Sequence, residues 1–351
     1  MTDDHISDER TSTEPLLAVD GLRVHVRTER ETIRAVDGVS FELCRGETVC
    51  LIGESGSGKS VTCESLTRLV PEPPFEIVGG CVEFEGRDLF AADTGRCRRV
   101  RGDRIAHVFQ NPQSALDPVY TVGEQLIETI EIHEDVPKTN ARDRAIGLLR
   151  QVGIPRPADR IDDYPHEFSG GMCQRVAIAI ALTAEPDLVV ADEPTTAVDV
   201  TVQARLIELL REVTDGGTSL LVVTHDLRVA AALADRLLVM YGGTIVERGP
   251  IEELFERPAH PYTQALFESY AGRSAGSDRT ARGDVPADGC RFRSECPHAV
   301  EACSDGEQPP FYAVGDDSDR RASCVHYGPG NDPGAVLEAG ATIAEAEGSD
   351  D

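Results

Sequence analysis

Hydrophobic residues in the first part of the chain either alternate with polar residues or form short continuous runs, which is typical of β-strands. After residue 185, two short β-branched runs are each followed by a stretch with helical character. Strands that alternate with helices are typical of a parallel sheet with crossover helices. The predicted strands are Leu16–Val26, Val36–Leu43, Thr48–Ile52, Cys81–Phe84, Asp187–Ala191 and Ser219–Thr224.

Between these two groups of strands, Thr121–Gly153 has helical periodicity and few β-branched residues, which predicts an inserted helical subdomain over about residues 112–180. Residues 271–288 are rich in Gly, Ser, Arg and Asp, which predicts a linker. Both ends of the chain are acidic and poor in large apolar groups, which predicts disorder. The predicted segments are a disordered N-terminus at 1–15, a main domain at 16–270, a linker at 271–288, a cysteine-containing segment at 289–327 and a disordered tail at 328–351.

The composition fits a folded protein of the cytoplasm. Of the 351 residues, 40% are hydrophobic, which is enough for a sizeable core. No stretch approaches the run of about 18 apolar residues that a membrane span needs. The first fifteen residues are acidic and polar, unlike a secretory signal.

The net charge of −28 is the main compositional feature. Only two of the 34 basic residues, Lys59 and Lys138, are lysines. Binding to a nucleic-acid backbone depends on Lys and Arg, so this charge argues against a general nucleic-acid binder. A dense, lysine-poor acidic surface predicts adaptation to a salt-rich cytoplasm, as in a haloarchaeon, and an acidic protein of an ordinary cytoplasm is the alternative.

A glycine-rich loop follows the predicted strand Thr48–Ile52 and precedes a helical stretch. It satisfies the pattern G-x-x-x-x-G-K-[ST] in the strand–loop–helix context of a phosphate-binding loop, in which backbone N–H groups hold phosphate oxygens. We expect Lys59 to reach the β- and γ-phosphates of ATP and the Ser60 hydroxyl to bind Mg²⁺. The predicted nucleotide contacts are Gly53, Glu54, Ser55, Gly56, Ser57, Gly58, Lys59, Ser60 and Val61.

Polar residues end two further strands. Asp192 and Glu193 follow the apolar run that begins at Leu188, and His225 follows the run that begins at Ser219. We expect Asp192 to help hold Mg²⁺, Glu193 to orient or deprotonate the attacking water, and His225 to donate a hydrogen bond to the γ-phosphate. An acidic pair alone is more often a helix cap, and a lone histidine is a weak indication, so these predictions depend on the residues occurring together.

The segment Phe168–Arg175, FSGGMCQR, resembles the LSGGQ signature of ABC ATPases, which other P-loop proteins lack. The other ABC elements occur in the family's order: Gln110 resembles the Q-loop, Ala197–Asp199 the D-loop and His225 the switch histidine. The resemblance covers about residues 16–270. It implies a P-loop NTPase fold of the α/β class, with an ABC-type RecA-like core, an N-terminal antiparallel β subdomain, a helical subdomain and, here, a small C-terminal extension.

In ABC ATPases two domains associate head to tail, so that each ATP lies between one subunit's P-loop and the other subunit's signature. Hydrolysis removes this shared charge and loosens the interface. The residues implied to contact the partner's ATP, at a helix N-terminus, are Ser169, Gly170 and Gly171. The roles implied within one chain are catalysis by Glu193, His225, Gln110 and Lys59, ATP contacts from Gln110 and His225, and Mg²⁺ binding by Ser60, Gln110 and Asp192.

Three departures from the family pattern occur. Phe168 and Val198 stand where leucines are usual, and both changes keep an apolar side chain. Val26, beside His25, occupies the place where the family stacks adenine on an aromatic ring. Base stacking is therefore expected to be weakened or supplied differently.

The exact sequences of the motifs resemble those of one ABC subgroup, the dipeptide/oligopeptide importers. The similar segments are GESGSGKS, FQNPQSALDP, ADEPTTAVDV and the HPYT element at His260–Thr263. This resemblance implies a peripheral subunit on the cytoplasmic face of the membrane. Its implied partners are a second ABC ATPase, identical or related, two transmembrane permease subunits and an extracellular substrate-binding protein. The implied cargo is a di- or oligopeptide or a related solute, such as nickel or a sugar.

Four of the ten cysteines cluster near the C-terminus with the spacing C-x5-C-x6-C-x20-C. Clustered cysteines in a reducing cytoplasm favour metal binding over disulfides. The spacing resembles the C-terminal cysteines of the same importer subgroup, which implies a four-iron four-sulfur cluster. Structural zinc, disulfides and the absence of metal remain alternatives, and His298 and His326 nearby are either further ligands or surface histidines. The predicted ligands are Cys290, Cys296, Cys303 and Cys324.

Two other functions compete with that of an import ATPase. A soluble ABC ATPase of DNA repair would need a long coiled-coil insertion, and one of translation would need tandem ATPase domains; the sequence has one set of motifs and no such insertion. A non-catalytic metal-binding protein would not need intact Lys59, Asp192 and Glu193. The predicted function is therefore the ATP-hydrolysing subunit of an importer.

Overall fold

The structure is a computed structural model that describes residues 14–91, 94–111, 115–134, 136–196, 198–270, 285–315 and 319–337. Several predicted features fall outside the described residues, namely the N-terminus up to residue 13, D-loop residue Ala197, most of the predicted linker at 271–284 and the end of the acidic tail at 338–351.

Twelve strands form two sheets in the described part of the chain. In chain order they are β1 Leu17–Arg27, β2 Thr32–Leu43, β3 Thr48–Ile52, β4 Phe75–Phe84, β5 Arg87–Asp88, β6 Ile105–Val108, β7 Leu188–Asp192, β8 Ser219–Thr224, β9 Arg236–Tyr241, β10 Thr244–Pro250, β11 Tyr312–Ala313 and β12 Arg321–Ala322.

The smaller sheet is antiparallel, with the strand order β2–β1–β4–β5. The larger sheet has the order β11–β12–β10–β9–β3–β8–β7–β6, in which β9, β3, β8, β7 and β6 are parallel neighbours. Strands β3, β7 and β8 are buried at every position, as expected for a parallel sheet that is covered on both faces. Their carboxyl ends place the phosphate-binding loop, the acidic pair and His225 at the same edge of the sheet.

Helices cover the larger sheet and fill the region of the predicted helical subdomain. One of them begins at a capping box, in which the Glu124 N–H donates to Thr121 Oγ1 at 3.1 Å and the Thr121 N–H donates to the Glu124 carboxylate at 2.8 Å. The helices are Lys59–Leu66, Thr94–Asp103 (interrupted at Arg101 and Gly102), Val122–His133, Lys138–Gln151, Pro157–Arg160, Gly170–Ala181, Val200–Asp215, Leu227–Leu233, Ile251–Glu256 and Pro261–Tyr270, with 3-10 turns at Pro165–Glu167, Glu301–Ser304 and Val325–Tyr327.

Two large hydrophobic cores and one small cluster of Ala259, Val314 and Ala322 hold the described elements together. One lies between the two sheets and includes buried residues of β1, β2, β3 and the helix Lys59–Leu66. The other lies on the opposite face of the large sheet and joins it to the helices. Cys290, Phe292 and Cys303 belong to this second core, and β12 pairs with β10 through Glu247 and Ala322. The cysteine-containing segment is thus continuous with the central sheet, a long-range contact that spacing along the sequence does not indicate.

Candidate functional site

The phosphate-binding loop is tightly wrapped around the start of the helix Lys59–Leu66. Gly58 precedes this helix with a φ of +106°, and a Cβ atom at this position would lie 2.3 Å from the Ala35 carbonyl oxygen. Any other residue would therefore be both strained and in collision with β2. Lys59 Nζ donates to the carbonyl oxygens of Gly53 at 2.8 Å and Glu54 at 2.7 Å, so the ammonium group lies inside the loop.

Burial lowers the pKa of Lys59, and the neighbouring carboxylates of Glu193 and Asp192 act in the opposite direction. Taking an ammonium group out of water is unfavourable unless opposite charge compensates it. A triphosphate bound in the loop would supply that charge. The geometry of the loop therefore suits an anion with several phosphate groups.

Asp192 is the last residue of β7, and its surroundings suit a Mg²⁺ ion. The Ser60 hydroxyl donates to its carboxylate, and burial raises the pKa of Asp192. Its Oδ1 atom is buried and has no hydrogen-bond partner among the described residues. Mg²⁺ prefers carboxylate, hydroxyl and phosphate oxygens. Asp192 and Ser60 would thus hold the ion, which neutralises developing charge on the transferred phosphoryl group when bound.

Glu193 lies at the centre of a polar cluster. Gln110 Nε2 and Thr196 Oγ1 lie 2.9 and 2.7 Å from Glu193 Oε2, and His225 Nδ1 lies 3.2 Å from Oε1. The backbone of Glu193 has a φ of +47°, which is uncommon for a residue with a side chain and is costly unless the surroundings hold it. Its N–H donates to the Val223 carbonyl oxygen at 2.9 Å, which ties this conformation to β8.

The same contacts set the charge of Glu193. Burial would raise the pKa of its carboxyl group, but hydrogen bonds from Thr196, His225 and Gln110 outweigh burial and hold the pKa below the ordinary value. Glu193 is therefore a carboxylate near neutral pH, able to accept a hydrogen bond from a water molecule. Sequence reasoning did not single out Thr196, although it follows in the same ADEPTT segment.

One cavity of about 730 Å³ is lined by part of this site, whereas Asp192, Thr196 and His225 are not among its lining residues. Its walls include most of the predicted P-loop contacts together with Gln110 and Glu193. The cavity is also lined by residues that the motifs did not indicate. They come from the start of β2, from the turn between β9 and β10, and from the C-terminal segment, whose described part begins at residue 285. These further lining residues are Glu31, Thr32, Ile33, Arg34, Ala35, Gly242, Gly243, Val285, Ala287 and Arg291.

The signature segment lies apart from this cavity, because its residues are not among those that line it. Ser169 caps the helix Gly170–Ala181 by accepting from the Met172 N–H at 3.3 Å. A Cβ atom on Gly171 would lie 2.6 Å from Val202 Cγ1, whereas a Cβ atom on Gly170 would meet nothing within 4 Å. Gly171 is therefore needed for helix packing, and Gly170 faces open space.

The D-loop residue Asp199 acts as a helix cap. Its Oδ1 atom accepts from the N–H groups of Thr201 and Val202, both at 3.0 Å. This contact explains where the helix Val200–Asp215 begins.

The HPYT element contacts the phosphate-binding loop directly. Tyr262 is buried, and its Oη accepts from the Glu54 N–H at 3.0 Å. Its ring packs on those of Tyr241, at 4.5 Å between centroids, and Phe292, at 5.5 Å. The C-terminal region thus supports the P-loop through an aromatic cluster. It also forms one wall of a second cavity of about 630 Å³, which Glu193 and His225 line from the other side.

The four clustered cysteines converge without forming a metal site. Cys290, Cys303 and Cys324 are buried, and the Cys324 thiol interacts with the other three. Burial raises the pKa of Cys296 to about 11 and that of Cys324 to about 12, so both thiols would have to lose a proton in order to bind a metal as thiolates. Across the described residues, no group of three or more His, Cys, Asp or Glu side chains is arranged to hold a metal ion.

Comparisons with known protein families agree with the motifs. The profile of the family described as ABC transporter matches residues 36–196. The profile of the oligopeptide/dipeptide transporter C-terminal region matches residues 246–303, from β10 to the third clustered cysteine. The second match begins inside the large sheet, as expected from the shared core.

Curated relatives cover most of the chain. A putative peptide import ATP-binding protein of Brucella abortus is 47% identical over 83% of this chain and 90% of its own length. The oligopeptide transport ATP-binding protein AppD of Bacillus subtilis is 43% identical over 82% and 90%. The dipeptide transport ATP-binding protein DppD of Escherichia coli is 43% identical over 89% and 96%.

Solved structures agree at the level of the fold. The dimeric structure of MJ0796, a bacterial ABC transporter cassette, superposes with a TM-score of 0.61 at 27% identity, over 67% of this chain and 98% of that one. The same cassette in a post-hydrolysis state with bound ADP and phosphate gives a TM-score of 0.61 at 26% identity, with the same coverage.

Among the described residues, no helix has the length and apolar character needed to cross a bilayer. The P-loop, the acidic pair and His225 lie close together, and the relatives share 43–47% identity over more than four fifths of the chain. The chain therefore belongs to the ATP-hydrolysing subunits of ABC transporters, in the group that carries the oligopeptide/dipeptide transporter C-terminal region.

Proposed function

We propose that the protein hydrolyses ATP to drive uptake of di- or oligopeptides, or of a related solute, by an ABC importer. The observation that carries this proposal is the convergence of Gln110, Thr196 and His225 on the Glu193 carboxylate beside the P-loop. The names of the curated relatives favour peptides as the cargo.

The site suggests a division of roles. Lys59 and the P-loop N–H groups bind the phosphates, while Ser60 and Asp192 hold Mg²⁺, with Gln110 as a further ligand. Glu193 accepts a hydrogen bond from the attacking water and orients it. His225 holds Glu193 in place and donates a hydrogen bond to the γ-phosphate. The second contact requires the ring to turn partly away from Glu193, which its exposed position permits.

The signature residues act on a different ATP molecule in this proposal. Ser169 and Gly170 are exposed at a helix N-terminus and do not line the chain's own nucleotide cavity. Such an N-terminus suits a phosphate that a second ATPase subunit presents. We therefore propose a head-to-tail dimer, formed with an identical or related chain, that encloses two ATP molecules.

The remaining partners follow from the importer group. The proposed complex contains two transmembrane permease subunits and receives cargo from an extracellular substrate-binding protein. The ATPase subunit would lie on the cytoplasmic face of the membrane and associate with it through the permeases. The net charge of −28 supports a salt-rich cytoplasm and a haloarchaeal source.

The four-iron four-sulfur cluster remains a separate proposal that rests on the cysteine spacing, with structural zinc as the alternative. The burial of Cys290, Cys303 and Cys324 argues for a structural role for any metal. No step of ATP hydrolysis depends on it.

The first test compares Mg-ATP hydrolysis by wild type and by Glu193→Gln, purified in high salt. Replacing the carboxylate should lower kcat by about 100-fold or more, because the water loses its charged acceptor. Glu208→Gln is the matched control, since Glu208 is exposed on the helix Val200–Asp215, and it should keep wild-type turnover. Iron and zinc contents of the same samples test the metal proposal.

Two outcomes would overturn the proposed function. Equal hydrolysis by wild type and Glu193→Gln would remove Glu193 from the mechanism. Copurification of the chain with ribosomes or DNA, and not with membranes, would favour a soluble ABC ATPase.

A further inference from the structure

The nucleotide cavity extends well beyond the residues that would hold phosphates and Mg²⁺. Its lining includes Lys59, Ser60 and Glu193, which belong to the phosphate and Mg²⁺ site. Ala35 of β2 touches the P-loop, since its carbonyl oxygen lies against Gly58. Ile33 lies two residues further along the same extended strand, about 6.6 Å away. An ATP molecule with its triphosphate in the P-loop would therefore place its base toward Ile33.

Near Ile33, the described lining residues do not include the aromatic side chain on which the family stacks adenine. Val26 is not among the residues that line the cavity. Its cross-strand partner in the β1–β2 ladder is Ile33, which does line the cavity and is 47% exposed. No Phe, Tyr or Trp is among the described lining residues, so β2 offers an aliphatic surface here.

Another part of the lining comes from the C-terminal segment. Val285 lines the cavity, is 45% exposed and packs against Gly242, where an added Cβ atom would lie 2.6 Å from Val285 Cγ1. Gly242 has a φ of +54°, so the turn after β9 is shaped to leave room for this side chain. The exposed surfaces of Ile33 and Val285 thus border one cavity.

Polar contacts hold the C-terminal wall on β2. Arg34 Nη1 donates to the Ala287 carbonyl oxygen at 3.3 Å, and the guanidinium group of Arg291 pairs with Asp37. Arg291 is buried, whereas Arg34 is about half exposed at the cavity. A guanidinium plane can stack on a nucleobase, so Arg34 offers the base a second type of contact.

We propose that Ile33, Arg34 and Val285 form the base-binding subsite for adenine, and that the C-terminal region therefore completes the nucleotide site within its own subunit. Aliphatic groups on two walls would exclude water from the faces of the purine ring. The proposal rests on the proposed function only in requiring that the P-loop bind the triphosphate of ATP.

The test measures equilibrium binding of Mg-ATP and of magnesium triphosphate, which lacks base and ribose, to the full-length protein. Ile33→Ser and Val285→Ser should each raise the Kd for Mg-ATP about fivefold or more, because an aliphatic contact with the base is lost. Both should leave the Kd for triphosphate within about twofold of wild type. The matched controls, Val78→Ser and Val300→Ser, replace valines that are 42% and 46% exposed but do not line the cavity, and should change neither Kd.

The two proposals fail in different ways. If wild type binds neither Mg-ATP nor triphosphate, the proposed function fails before the base subsite is tested. If wild type binds both and the Ile33 and Val285 variants bind Mg-ATP as the controls do, the base subsite lies elsewhere. Equal weakening of Mg-ATP and triphosphate by Val285→Ser would also contradict the proposal, because a base contact cannot affect a ligand without a base. Thermal unfolding of each variant verifies that the fold is kept.

Discussion

At the scale of single residues, His260 links the HPYT element to the stability of the fold. Its Nδ1 atom accepts from the Tyr262 N–H at 3.1 Å, and its Nε2 atom is buried with no hydrogen-bond partner among the described residues. Burial lowers the pKa of His260 from 6.5 to about 3. Between these values the unfolded chain binds a proton that the folded chain does not. Lowering the pH below 6.5 therefore favours unfolding, and the contribution of His260 to stability is complete only above that pH.

We predict that His260→Asn reduces the pH dependence of unfolding. Each pH unit within this window should cost wild type about 1.4 kcal/mol at this site, whereas Asn does not titrate. Denaturant unfolding at pH 7.5 and pH 5.0, at constant salt, should therefore show wild type losing about 2 kcal/mol more than the variant. His166→Asn, at an exposed position, is the control and should follow wild type. Parallel pH profiles for wild type and His260→Asn would contradict the prediction.

At the scale of elements, a buried ion pair joins the C-terminal segment to the large sheet. Arg320, just before β12, lies 2.8 Å from the Glu247 carboxylate in β10, and their side chains are 5% and 0% exposed. The same carboxylate accepts the N–H groups of Ala259 at 2.9 Å and His260 at 2.8 Å. One acidic group therefore organises β10, the turn before the HPYT helix and the approach to β12.

We predict that Arg320→Met costs about 3–5 kcal/mol of unfolding free energy, because it leaves the Glu247 charge buried and uncompensated. Adding Glu247→Gln to this variant should recover part of the loss. Arg142→Met is the control, because Arg142 pairs with Asp162 at 2.7 Å in an exposed position, and it should cost less than about 1 kcal/mol. Chemical denaturation at fixed salt measures all of these variants, and similar losses for Arg320→Met and Arg142→Met would refute the argument.

The elements also show what the sequence can predict. β3 and β8 agree residue for residue with their apolar runs, because fully buried strands need continuous hydrophobic sequence. β4 is longer than predicted, since it begins at Phe75 and passes through Gly79 and Gly80, which weaken a strand pattern. The pairing of β12 with β10 joins residues more than 70 positions apart and depends on the Glu247 carboxylate. Local periodicity carries no information about such a contact.

The residues of the candidate site likewise differ in how far the sequence predicts them. Motif spacing predicted that Lys59, Asp192, Glu193 and His225 lie close together, because each lies at or after the carboxyl end of a strand at one edge of the sheet. Motif spacing did not identify Val285, whose place beside the cavity depends on how the C-terminal segment returns to β2. A residue whose position depends on the tertiary fold, and not on a loop with a fixed sequence pattern, can be identified only from the structure.

At the scale of the whole molecule, charge is the dominant property. The chain carries 62 acidic and 34 basic residues, and several ion pairs, such as Arg27–Glu76, lie at the exposed surface. Excess negative charge destabilises a compact protein because the like charges repel one another. Salt weakens this repulsion, since the Debye length falls from about 10 Å at 0.1 M to 3 Å at 1 M. Exposed ion pairs weaken with salt as well, but each contributes about 1 kcal/mol or less.

We therefore predict that net repulsion dominates and that the thermal midpoint rises by about 10 °C or more between 0.1 and 2 M KCl, with most of the gain below 1 M where screening changes fastest. Sucrose at matched osmolality is the control, because it favours compact states without screening charge. A larger effect of KCl than of sucrose supports salt adaptation. An unchanged or lower midpoint in KCl would show that the surface carboxylates are already compensated, and the acidic composition would then reflect solubility in an ordinary cytoplasm.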